Sequence, residues 1–140
     1  AVAGDPTICH QLLLYPALDG RCASSSFAAE HAGFLSSAQM RWYWDQYAPG
    51  ELRADPRVSP AEGEIRADMA PATIIVAGND PLHDEGVQYA EALKTAGVPA
   101  KLHDYPGAIH GFVSLFGIVP LADEAVSVSA EALKTAFAKV

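Results

Sequence analysis

Two short apolar runs and one alternating stretch divide the chain, and each is closed by a proline or a glycine. His10 to Tyr15 (His-Gln-Leu-Leu-Leu-Tyr) stops at Pro16. Thr73 to Ala77 (Thr-Ile-Ile-Val-Ala) lies between Pro71 and Gly78. Continuous apolar runs of this length predict strands buried on both faces, and β-branched residues favour the second most strongly. Lys101 to Tyr105 alternates instead and ends at Pro106, which predicts a third strand nearer a sheet edge.

A helical period fills the intervals. Ser36 with Gln39 three residues on is a capping box, and Leu35 with Met40 can close a hydrophobic staple around it. Met40, Tyr43, Trp44 and Tyr47 then recur at helical spacing until Pro49-Gly50. Asp84 and Glu85 put negative charge where a helix N-terminus favours it. Val87, Ala90 and Leu93 follow on one face, and Gly97 supplies the stop. The last helix is expected from about Asp123, with Val126, Ala130, Leu133, Phe137 and Val140 as its inward stripe. Strands alternating with helices predict an α/β fold with about three parallel strands, covering helices and right-handed crossovers.

Composition narrows the class. The chain has 140 residues, half of them hydrophobic, enough for one domain with a real core. A net charge of −8 with scattered basic residues argues against a nucleic acid or an anionic membrane surface as partner. No apolar run approaches the roughly 18 residues of a spanning helix, and no basic leader precedes the first apolar stretch. Cys9 and Cys22 form no C-x-x-C pair and are expected to be buried thiols, with a cytoplasmic location as the default. The chain opens at Ala1 without Met and nears a strand by residue 10. It is therefore expected to be a partial domain, 1–140, of a longer polypeptide.

Functional groups in a parallel sheet sit beyond the C-terminal strand ends. Asp80 follows the second strand in Gly78-Asn79-Asp80-Pro81-Leu82, and His110 follows the third in Ile109-His110-Gly111-Phe112. Neighbouring strands bring both loops to one edge, where a carboxylate could orient an imidazole as a base. Taken alone, an Asp before Pro is more often a turn residue, and a His between glycines more often solvated. Ser24, Ser25, Ser26 and Ser114 lie off any strand–turn–helix elbow and read as caps or solvated residues. His103, Asp104 and His110 lack metal-ligand spacing, so no metal site is expected.

Five segments in order change the weighting. Gln11 to Pro16, Met40 to Tyr47, Asp55 to Pro60, Asp80 to Gly86 (Asp-Pro-Leu-His-Asp-Glu-Gly) and Ile109 to Phe112 resemble the C-terminal part of the hormone-sensitive-lipase-like carboxylesterases, which have the α/β-hydrolase fold. The resemblance implies that Asp80 is the acid and His110 the base of a catalytic triad, in the Ser…Asp…His order of that fold. It implies an ester hydrolase acting through an acyl-enzyme on a small-molecule ester, with no cofactor. Phe112 is a candidate for lining the substrate pocket, with core packing as the alternative. His83 stands where that family usually has Arg.

The family's G-D-S-A-G-G nucleophile and H-G-G-G oxyanion loop are not in this sequence. Ala1 to Asp5 matches the residues before that serine, yet Pro6 follows: either an internal stretch is missing after Asp5, or the match is accidental and the segment ends a preceding helix, the reading slightly preferred. The 140 residues alone are expected to be inactive. A hydrolase remnant serving binding or assembly is the alternative. In either case the first strand is expected to present an apolar edge for self-association or for pairing with an N-terminal part.

Overall fold

The computed structural model describes residues 8–29 and 33–138. Ala1 to Asp5 and Val140, both singled out above, lie outside them. Three strands pair in parallel in the order β1-β2-β3: β1 (Gln11–Leu14), β2 (Ala72–Asn79) and β3 (Ala100–Ile109). Helices α1 (Ser25–Ala28), α2 (Ser37–Tyr47), α3 (His83–Thr95) and α4 (Pro120–Phe137) accompany them. The α/β class and the three parallel strands are as the sequence pattern requires.

The central strand organises two cores through its period of two. Ala72, Ile74 and Val76 face α3, packing with Tyr89, Ala90, Leu93 and Val98. Ile75 and Ala77 face the other way, against Tyr105, Ala108, Phe112 and the α4 residues Ala122 and Ala125. A third cluster joins α1 and α2 to the start of α3 through Phe27, Leu35, Met40, Trp44 and Leu82.

The local signals that depend on backbone chemistry hold. The Ser36 hydroxyl accepts from the Gln39 amide and the Gln39 side chain accepts from the Ser36 amide, with Leu35 and Met40 buried together beside the box. Gly97, at φ +83°, ends α3. The Val98 amide reaches back to the Leu93 carbonyl and the Gly97 amide to Lys94, the paired bonds of a Schellman turn.

Several expectations are corrected. On α2 the buried positions are Met40, Trp44 and Ala48, four apart, while Tyr43 and Tyr47 are exposed. The last helix begins at Pro120, a residue preorganised for a first turn, and buries Ala122, Ala125 and Ala136 rather than the larger stripe. Ala130 and Phe137 are exposed, while Ala122 and Ala125 pack with the sheet residues Ile75 and Ala77, where small side chains allow close approach. Cys9 and Cys22 are half-buried free thiols, not buried ones.

The strand ends matter most for function. β3 does not stop at Pro106. As an edge strand it tolerates a residue without an amide, and it runs on to Ile109 past a register shift opposite Ala77–Asn79. Beyond that bulge Asn79 pairs with Ile109. Asp80 and His110 are therefore the next residue on each of two adjacent strands.

Candidate active site

His110 Nδ1 lies 2.7 Å from Asp80 Oδ2. The Asp80 side chain is 1% exposed and the His110 side chain 26% exposed. The second Asp80 oxygen, Oδ1, accepts from the Leu82 amide at 2.9 Å, so the carboxyl group is held at both ends. A carboxylate only accepts hydrogen bonds. Its contact with Nδ1 requires the proton there and leaves the Nε2 lone pair free to act as a base. Gly111, at φ +79°, turns the chain sharply after the histidine, a conformation open to glycine at little cost.

Tyr15 forms a wall that the sequence reading did not assign. Its ring centroid is 4.6 Å from that of His110, tilted by 57°. Burial, and then the charge of Asp80, push its phenol above the ordinary range. Phe112 is 3% exposed and packs between Tyr15 and Tyr105, with ring centroids 6.3 and 5.1 Å away. It supports the tyrosine from within the core. A concavity of about 430 Å³ runs along β3 from Leu102 to Gly107, and neither Asp80 nor His110 lines it.

The segment that carries Asp80 ties four pieces of chain together. The Ser26 amide donates to Asp84 Oδ2 at 2.8 Å, while the Asp84 amide donates back to the Ser26 hydroxyl at 3.1 Å. His83 lies between Asp84 Oδ1 at 3.0 Å and Asp104 Oδ2 at 3.3 Å. Burial works against its charged form, but the two carboxylates outweigh that and hold the imidazole above its ordinary value. The histidine standing where the family usually has Arg thus still bridges α3 to β3. Gly86 is required here, since a Cβ would come within 2.6 Å of Val76 Cγ1. Ser24 caps α1, Ser26 bonds the Pro81 carbonyl and Ser114 bonds the Gly111 carbonyl.

Glu85 stands in the first turn of α3, as expected of a helix-start charge, but it is also buried, at 4% exposed. Its Oε2 accepts from the Leu18 amide at 2.6 Å and the Asp19 amide at 2.5 Å. The signal was present: positions 85, 89 and 93 share one helix face, and Tyr89 and Leu93 are buried. Burial pushes the Glu85 carboxyl up to about 7, although the two amides favour its ionised form.

A folded-state pKa raised above the unfolded 4.5 contributes stability that is present below pH 4.5 and lost as the pH rises through about 7. The unfolding free energy from urea titrations should therefore decrease from pH 5 to pH 8, by on the order of 2–3 kcal/mol from this group. Glu85→Gln should remove that part of the slope. An unchanged slope in the variant would locate the pH dependence elsewhere.

Comparison with known proteins bears on the family. A family model described as alpha/beta hydrolase fold matches residues 1–114. Ethyl acetate hydrolase of Pseudomonas putida is 40% identical over 127 residues, covering 89% of this chain and 40% of that protein. The chain belongs to the hormone-sensitive-lipase-like carboxylesterases of the α/β-hydrolase fold. Another member, carboxylic ester hydrolase LipN of Mycobacterium tuberculosis, is 42% identical over 120 residues, 81% of this chain and 31% of LipN. Among solved structures, a mutant of LAE6, an alpha/beta hydrolase enzyme from the metagenome of Lake Arreo, superposes with a TM-score of 0.82 at 39% identity. The match covers 91% of this chain and 41% of that one. The chain thus spans less than half the length of the relatives it matches. Among its described residues no helix is long and apolar enough to cross a membrane.

Proposed function

We propose that the chain supplies the acid and the base of a serine carboxylic-ester hydrolase, acting on a small-molecule ester. The observation that carries this reading is the 2.7 Å bond from His110 Nδ1 to a buried, doubly held Asp80. The nucleophile comes from a segment outside these 140 residues, which contain no G-x-S-x-G. Its hydroxyl oxygen bonds the ester carbonyl carbon as its proton passes to His110 Nε2. Asp80 holds the ring in place and stabilises the imidazolium. The proton then passes to the departing alcohol as the ester C–O bond breaks, leaving an acyl-enzyme. Water repeats the sequence through the same Nε2 and releases the acid. No residue in this scheme needs a metal or an organic cofactor. That relatives include an ethyl acetate hydrolase and carboxylesterases supports an ester as substrate.

The isolated 140-residue chain should hydrolyse p-nitrophenyl butyrate no faster than buffer. A longer polypeptide that places a serine elbow upstream of it should turn the ester over. Turnover by the isolated chain that disappears on His110→Ala would overturn the assignment of the nucleophile to another segment.

The outer edge of β1 favours a complementary reading. Gln11–Leu14 pairs with β2 on one side and has no further strand partner among the described residues, although three of its four side chains are leucine. Such an edge pairs with another strand, from a second copy or from an N-terminal part of the same protein. Light scattering that finds a stable monomer of the isolated chain at high micromolar concentration would count against it.

A further inference from the structure

The chain leaving β1 is held in an unfavourable shape directly over the histidine. Tyr15 has φ +36°, in the left-handed region that a tyrosine rarely adopts, and Pro16 after it restricts that residue further. Such strain persists only where the surroundings impose it. On the strand side the restraint is the Tyr15 amide, which donates to the Ile75 carbonyl at 2.7 Å. On the far side, three residues on, the Leu18 and Asp19 amides both end on one oxygen of Glu85. Three residues of chain reach at most about 11 Å, so the position of Leu18 limits where Tyr15 can lie.

We propose that Glu85 is a positioning residue for the histidine site: by taking the Leu18 and Asp19 amides it fixes the turn after β1, and with it the Tyr15 ring that packs at a tilt against the His110 imidazole. The proposal rests on the reading of Asp80 and His110 as the acid and base. It joins two functions in one stretch of six residues, because Asp80 bonds one edge of the ring and Glu85, five residues later, sets what packs against it. Glu85 touches no reacting atom in this scheme. Its neighbours in charge are Asp19 and Asp80. Gln88, Tyr89 and Arg21 line the cleft beside it.

Nuclear magnetic resonance of the 140-residue chain tests this directly. The Tyr15 ring shifts the carbon-bound protons of the His110 imidazole through its ring current, and Tyr15→Ala defines the uncovered position of those signals. Glu85→Ala should move the His110 signals most of the way to that position, and adding it to Tyr15→Ala should move them no further. Glu85→Gln, whose amide oxygen still accepts from both amides, should leave them near the wild-type position. A folded Glu85→Ala with wild-type His110 signals would overturn the proposal. If that variant does not fold, Glu85→Asp, one methylene short of the two amides, takes its place with the same two outcomes. If neither folds, amide exchange in the wild type decides. Leu18 and Asp19 exchanging as fast as solvent-exposed loop amides would overturn the proposal, and strong protection would support it. Asp80→Asn isolates the underlying reading: an unchanged His110 Nδ1 proton signal there would remove the acid–base pair itself, whatever Glu85 does.

Discussion

Asp80→Asn should lower kcat on an ester substrate by about 10⁴-fold in the complete hydrolase, with little change in fold. The size follows from the second bond that Asp80 makes. The Leu82 amide donates to Oδ1 at 2.9 Å, so an asparagine at this position must turn its oxygen towards Leu82. Its NH2 group then faces His110 Nδ1, the atom that Oδ2 now contacts at 2.7 Å. Two donors cannot share that contact. The imidazole must move its proton to Nε2, and the lone pair that would take the serine proton is gone. Burial closes the escape route, since a side chain 1% exposed has no solvent-facing rotamer to adopt. The Nδ1 proton signal of His110 should disappear together with the activity. A variant within tenfold of wild type in kcat would show that Asp80 does not set the tautomer.

The parts of this site that were legible in the sequence share one property: each depends on chain direction and strand order. Asp80 follows an apolar run and His110 an alternating stretch, both read as strands, and parallel strands put the residues after them at one edge. The capping box at Ser36 and the stop at Gly97 are equally local, fixed by a few neighbouring residues. What could not be read was long-range. Glu85 reads as a helix-start charge, and its partners are the amides of Leu18 and Asp19, more than sixty residues earlier. Tyr15 closes an apolar run and so reads as one more strand residue, yet its backbone leaves the strand conformation and turns the ring onto His110. The α4 stripe misled for a different reason. Large apolar residues mark a buried face only where something packs on it, and Phe137 stays 63% exposed among the described residues while Ala122 and Ala125 touch the sheet.

Gly78→Ala should cost about 3 kcal/mol of stability, the upper end of what overpacking usually costs, and should pull the acid and base apart as well. A Cβ at Gly78 would collide with the Pro106 carbonyl oxygen and lie 2.6 Å from its Cα and 2.8 Å from its carbonyl carbon. All three are backbone atoms of the neighbouring strand, so no side-chain rotation relieves the contact. β3 must move away from β2 at the bulge, and the Asn79–Ile109 pair that sets Asp80 beside His110 lies immediately beyond it. The same displacement therefore destabilises the sheet and lengthens the Asp80–His110 bond. Gly107→Ala is the matched control: it lies next to Pro106 on the same strand, is exposed, and has nothing within 4 Å of its added Cβ. It should change stability by no more than about 0.5 kcal/mol. Urea midpoints of the two variants, read together with the His110 Nδ1 proton signal, separate the outcomes. If Gly78→Ala matches Gly107→Ala in both measurements, the close approach of the two strands is not what aligns the acid with its base.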